Sequence, residues 1–171
     1  WVPELTRIAP APAEDLDVFF YGSLNARRIE VLEALIRAGL EVEVRGGVYG
    51  AERDALIARA KVVLNLHYYE AKVFEVVRVS YLLANGRCVV SERGADAAEE
   101  AAFEAAVAFA PYDGLVAECL RLVRDPAERA RRGEAGLALM RRRDAAALLQ
   151  PVVGGVRPAR AAPLPSLAVP P

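Results

Sequence analysis

Two stretches of this chain combine residue types able to hold an anion or move a proton. The first is Gly22-Ser23-Leu24-Asn25-Ala26-Arg27-Arg28. A glycine permits a tight turn, the amides at a helix start attract anions, and Arg27 and Arg28 can pair bidentately with phosphate oxygens. The same residues also suit a plainer role, a glycine that ends a strand and arginines that solvate a helix. The second runs from His67 through Tyr68, Tyr69, Glu70 and Lys72 to Glu75 and Arg78. Lys72, Glu75 and Arg78 recur at three-residue spacing, which on a helix makes one polar sector. At the start of such a helix Lys72 and the free amides could hold a diphosphate and Glu75 accept hydrogen bonds from a sugar or ribose hydroxyl, or the polar face could simply be solvent-exposed and internally paired.

His67 is the only histidine in the chain. It has no neighbouring histidine or cysteine with which to bind a metal, but a histidine at a strand end can donate to a phosphate or transfer a proton. Tyr49, Tyr68 and Tyr69 can stack on a base or seal the loops. No nucleophile lies beside a base, and no paired-carboxylate or D-x-D motif is visible, which argues against a self-sufficient hydrolase. The G-x-G-x-x-G and G-K-[ST] phosphate motifs are also absent from the first turn.

Alternating strands and helices must position these groups. Apolar runs predict strands over 17–21, 41–45, 62–66, 88–90 and 106–110. Helical periodicity fills the intervals over 24–38 and 51–60, in a helix of about fourteen residues beginning near Lys72, and over 94–105. One helix follows from residue 113 and a last one from Pro126 to about residue 149. Parallel strands need crossovers, usually helices, so the pattern predicts an α/β fold: a doubly wound, Rossmann-like parallel sheet of about five strands with helices on both faces. Ligands of such sheets bind at the carboxyl ends of the strands, where both candidate stretches fall. Residues 1–16 carry Pro3, Pro10 and Pro12 and read as an extended lead-in or linker. Residues 17–150 form the domain, and 151–171 are a Pro/Ala-rich tail.

The chain has 171 residues, 54% of them hydrophobic, enough for one sizeable core. A net charge of -1 gives no electrostatic footprint for nucleic acid, and no run of about eighteen apolar residues is available to span a membrane. Cys88 and Cys119 lie too far apart for a thiolate metal motif, and Cys88 falls in a core strand. Unpaired thiols point to a reducing compartment, hence a cytoplasmic location. The chain starts at Trp1 without a charged-then-apolar signal segment, which predicts a fragment of a longer protein.

Several segments together resemble the C-terminal, donor-binding lobe of two-lobed GT-B glycosyltransferases, in particular bacterial group-1-like enzymes. They are DVFFYGSLNARR, GVYGAERDALIARAKVVLNLHYYE, FEVVRVSYLLANGRCVVSE and YDGLVAECLRLVRDPAERARRGEAG, and they cover residues 17 to about 150 in the family's order. The resemblance implies a nucleoside-diphosphate sugar as substrate, without a cofactor or essential metal, and an acceptor held by an N-terminal lobe of the parent protein. It places the diphosphate near Gly22, Ser23, Arg27 and the Lys72 helix, and the base near Val48, Tyr49 and Gly50. The family's signature has two glutamates separated by seven intervening residues. Here those positions are Val73 and Tyr81, and the nearest carboxylate is Glu75.

A donor-binding lobe would stabilise the leaving diphosphate through Lys72, Arg78 or Arg27 and helix-start amides. A non-catalytic Rossmann-like interaction module, derived from such a lobe, would explain the displaced glutamate. A flavodoxin-like or receiver-like domain is a third reading, although the first strand lacks the acidic cluster of a receiver.

Overall fold

The computed structural model describes residues 1–153, without the side chains of residues 148 and 153. Most of the tail expected over 151–171 therefore lies outside the described residues. Five strands form one sheet: β1 (Leu16–Tyr21), β2 (Val42–Arg45), β3 (Ala60–Asn65), β4 (Val89–Glu92) and β5 (Val107–Ala110). Every neighbouring pair is parallel, in the order β2-β1-β3-β4-β5. In register, Val18 lies opposite Val42 on one side and Val62 on the other. The strands read as near-continuous apolar runs because a parallel sheet is buried on both faces.

The helices are α1 (Ala26–Arg37), α2 (Gly50–Arg59), α3 (Val76–Ala84), α4 (Ala97–Ala101), α5 (Leu115–Val123), α6 (Pro126–Arg142) and α7 (Ala145–Val153). One face of the sheet packs Phe19 and Val63 against Ile57 of α2, Val79, Leu82 and Leu83 of α3, and Met140 of α6. The opposite face packs Val18, Phe20, Val62 and Leu64 against Val31, Leu32 and Leu35 of α1 and Leu115, Cys119 and Leu122 of α5. The fold is therefore doubly wound. Chain direction across the sheet reverses between β1 and β3, and the crevice outside their carboxyl ends is where such folds bind ligands.

Three expectations about local structure need correction. The helix expected to begin near Lys72 begins at Val76. Lys72 has a φ of 47°, a left-handed conformation that no α-helix accommodates, and Glu75 is the cap residue. Lys72, Glu75 and Arg78 therefore do not share one helical face; only Arg78 is helical.

The single last helix is two. Arg143 closes α6 on the Met140 carbonyl (2.9 Å), and the Asp144 side chain accepts from the Ala146 amide (2.9 Å), opening α7. The lead-in, read as unpacked, is docked. Thr6 donates to the Ala84 carbonyl (2.7 Å), the Arg7 and Ile8 amides both donate to Asn85 Oδ1 (2.9 Å each), and Trp1 and Ile8 pack on the core. Its prolines abolish helical or strand periodicity without preventing this side-chain anchorage.

Both cysteines are free and buried, and burial pushes the Cys88 thiol up to about 12. Among the described residues no helix is long and apolar enough to cross a membrane.

Candidate functional site

β1 ends at Tyr21, and Gly22 follows with a φ of 141°, a conformation that disfavours any side chain. A Cβ added there would lie 3.3 Å from Arg78 Nη2 and 3.5 Å from Arg28 Nη1. Two guanidinium groups thus close on bare backbone at the sheet's switch point. Asn25 caps α1 by accepting from the Arg28 amide (3.0 Å), and its Nδ2 donates to the Tyr68 carbonyl (3.0 Å), tying the first turn to the loop after β3.

Arg28 is almost fully buried. It donates to the carbonyls of Ser23 (2.8 Å) and Leu66 and pairs with Glu75 (3.4 Å), while its guanidinium lies over the Phe20 and Tyr68 rings. Burial pulls its pKa below the ordinary value, opposed by the Glu75 carboxylate. Glu75 also pairs with Arg78 (3.1 Å), and Arg78 lies over the Tyr21 ring. Gly22, Arg28, Glu75 and Arg78 therefore form one connected unit.

On the β2 side of this unit, Tyr21, Gly22, Gly47, Val48, Tyr49, Arg53 and Arg78 line a cavity of about 130 Å³. It adjoins a larger one, of about 940 Å³, walled by Arg53, Phe74, Val77, Arg78 and Tyr81. Tyr49 is 76% exposed, and Val48 is buried beneath it. Gly50 opens α2 and lines a separate cavity against the lead-in.

On the β4 side the arrangement is closed. Glu92, the last residue of β4, is 1% exposed and takes both terminal nitrogens of Arg27 in a two-point ion pair. It also accepts from the His67 amide (3.2 Å), and Lys72 Nζ stands 3.9 Å away. Burial opposes its charge, but the Arg27 contacts outweigh burial and hold the carboxyl below its ordinary value. The Tyr112 ring lies under the Arg27 guanidinium, 4.1 Å from its centroid, and Tyr112 donates to the Arg27 carbonyl (2.7 Å). Arg27, expected to meet a phosphate, is thus held by carboxylate and ring.

His67 is 2% exposed, and neither ring nitrogen has a hydrogen-bond partner among the described residues. In this conformation its imidazole does not reach solvent. Gly94 sits against it: an added Cβ would come 2.8 Å from the Lys72 carbonyl oxygen and 3.7 Å from His67 Nε2. The Ala95 amide donates to that same Lys72 carbonyl (3.1 Å), fixing the left-handed turn.

The structure therefore gathers Gly22, Val48, Tyr49, Glu75 and Arg78, all singled out in the sequence, around the open side. It gathers Arg27, His67 and Lys72 around Glu92. Ser23 is exposed and contributes its carbonyl to Arg28, while Tyr68 sits half-exposed over Arg28. Glu70 is exposed on the loop and makes no ion pair among the described residues. Sequence reasoning missed Arg53, Glu92 and Tyr112. The one signal for Glu92 was a carboxylate closing the apolar run CVVSE, where a buried strand end demands a partner. Among the described residues no group of three or more His, Cys, Asp or Glu side chains is placed to hold a metal ion.

Against known proteins, a family model described as glycosyl transferase-like matches residues 8–147. An uncharacterised protein of Acanthamoeba polyphaga mimivirus, L138, is 32% identical over 114 residues, 65% of this chain and 13% of its own length. Among solved structures, TarM superposes with a TM-score of 0.63 at 14% identity, over 86% of this chain and 37% of TarM. Sucrose-phosphate synthase from Thermosynechococcus elongatus superposes with a TM-score of 0.57 at 17% identity, over 82% of this chain and 44% of that one. The chain thus spans less than half the length of each of these relatives, and at such identities the two structures speak for the fold alone. The family match covers most of the chain, and with it the strand ends that carry the site, so the chain belongs to the glycosyl transferase-like family.

Proposed function

We propose that this chain is the donor-binding lobe of a glycosyltransferase, taking a nucleoside-diphosphate sugar at the carboxyl edge of its sheet. The observation that carries the reading is the approach of the Arg78 and Arg28 guanidinium groups to the side-chain-free Gly22 at the switch point. Bare backbone flanked by fixed cations lets a diphosphate come close. Arg78 is the cation best placed to act on it, being partly exposed and lining both cavities on the β2 side.

In the proposed reaction Arg78, with Lys72 as an exposed second cation, stabilises the charge that develops on the leaving diphosphate. Glu75 holds Arg78 and Arg28 in position. The nucleoside end lies on the β2 side, where the small cavity beside Val48 and Tyr49 adjoins the larger one walled by Arg53 and Tyr81. No metal or cofactor enters this scheme. The acceptor is held by a further lobe of a longer polypeptide, in keeping with the small share of its relatives that the chain spans.

Glu75 bonded between two arginines, with Val73 and Tyr81 at the family's glutamate positions, favours the second reading, a module that keeps the scaffold without binding donor. Calorimetric titration with UDP, GDP and dTDP separates the two. Saturable binding of one nucleotide supports the donor lobe, and no heat from any of them at millimolar concentration, with the fold intact, overturns it.

A further inference from the structure

We infer that the lead-in forms a wall of the nucleotide cavity and that its Arg7 is an affinity-determining contact for the nucleoside half of the donor. This rests on the donor-lobe reading above and extends it to Arg7, which lies just outside the family match that begins at residue 8. Along one wall of the 940 Å³ cavity, arginines alternate with tyrosines. Arg7 lies over the Tyr81 ring at 5.4 Å from its centroid and Arg53 over the same ring at 4.5 Å. Arg53 also lies 6.0 Å from the Tyr21 ring and Arg78 4.8 Å from it. Phe74, Val76 and Val77 add apolar lining to the same cavity. A cation-aromatic column combined with apolar lining suits a flat, polarisable ring that carries hydrogen-bond acceptors, which is the description of a nucleobase.

Arg7 is set in place from both ends. Its Nε donates to Tyr81 Oη (3.1 Å) and to Asp54 (3.3 Å). Its backbone is moored to Asn85, which accepts the Arg7 amide and donates to the Leu5 carbonyl (2.8 Å). The terminal nitrogens make no hydrogen bond among the described residues, and the side chain is 55% exposed. They are preorganised donors facing the cavity, and a planar guanidinium so fixed loses little freedom on binding an acceptor-bearing ring edge. Arg78, at the far end of the column beside Gly22, is left for the phosphates.

The test is calorimetric titration of the 171-residue chain and its Arg7→Ala, Arg7→Lys and Asn85→Ala variants with UDP, GDP and dTDP, with inorganic pyrophosphate as a second ligand. Arg7→Ala is expected to weaken the nucleotide that binds by roughly tenfold while leaving pyrophosphate affinity unchanged. Arg7→Lys should fall between, keeping charge but losing the planar stack, and Asn85→Ala should weaken binding by unmooring the segment. Affinity for Arg7→Ala within about twofold of the parent chain overturns the inference and leaves the donor-lobe reading standing. Equal losses for nucleotide and pyrophosphate overturn the assignment to the nucleoside half. Silence of the unsubstituted chain toward every nucleotide overturns the donor-lobe reading, and this inference with it.

Discussion

The two sides of the sheet's carboxyl edge carry similar charges and use them differently. Beside β4, Arg27 and Lys72 face a buried carboxylate of the chain itself, Glu92, and the loop above is pinned to the Gly94 turn. Beside β1 and β2, Arg53 and Arg78 are also paired, but with the partly exposed carboxylates of Asp54 and Glu75 and next to open volume. A fully buried carboxylate such as Glu92 resists losing its cations because its charge would then be poorly solvated, whereas a carboxylate that water reaches, such as Glu75, releases its partner at lower cost. The β4 side is therefore the closed one and the β2 side the one proposed to take the donor, although their residues look alike in the sequence.

The largest effect should come from breaking the closed side. Glu92→Ala leaves Arg27 without its carboxylate and is expected to cost about 3 kcal/mol, read as a drop in the urea midpoint. The same residue sets a pH dependence. Its folded pKa lies below the ordinary 4.5, so its stabilisation is complete above that value and is lost as pH falls through the folded pKa. In Glu92→Gln the decline of stability below pH 4.5 should be shallower, measured by denaturation at several acidic pH values.

Gly22→Ala should follow in size. It forces a Cβ into a φ of 141° and against Arg78, for a stability loss of roughly 1–3 kcal/mol together with weakened nucleotide binding. Arg78→Ala sharpens the contrast between the sides. Thermal denaturation should change little, since the side chain is partly exposed, while nucleotide and pyrophosphate affinity fall by roughly tenfold. The smallest effect on stability belongs to Lys72→Ala. Its ion pair is long, at 3.9 Å, and the side chain is 45% exposed, so less than about 0.5 kcal/mol is expected from the midpoint.

Much of the fold was legible because parallel strands buried on both faces write themselves as apolar runs. DVFFY, KVVLN and VVSE need no alternation to be recognised. The start of α6 at Pro126 was equally plain, whereas α1, read from residue 24, begins at Ala26 after an Asn25 cap. What the sequence hid were interactions between distant residues. Lys72, Glu75 and Arg78 have perfect helical spacing, yet a hydrogen bond from Ala95 holds Lys72 in a left-handed turn that no local pattern announces. Arg27 and Arg28 are adjacent in the chain and were read together as phosphate ligands, but α1 points them to different partners, Glu92 and the Glu75–Leu66 side. The anchoring of the lead-in depends on Asn85, some eighty residues on, through an amide pair with no periodic signature.

The difference between the two sides is tested most directly by following backbone amide resonances of the isotopically labelled chain while UDP, GDP or dTDP is added. Saturable shifts are expected at Gly22, at Gly47 to Gly50 and at Glu75 to Arg78, with the amides of β4 from Val89 to Glu92 nearly unmoved. Shifts confined to the Glu92 side, or no saturable shift with any of the three nucleotides, would contradict a donor site on the open half of the edge.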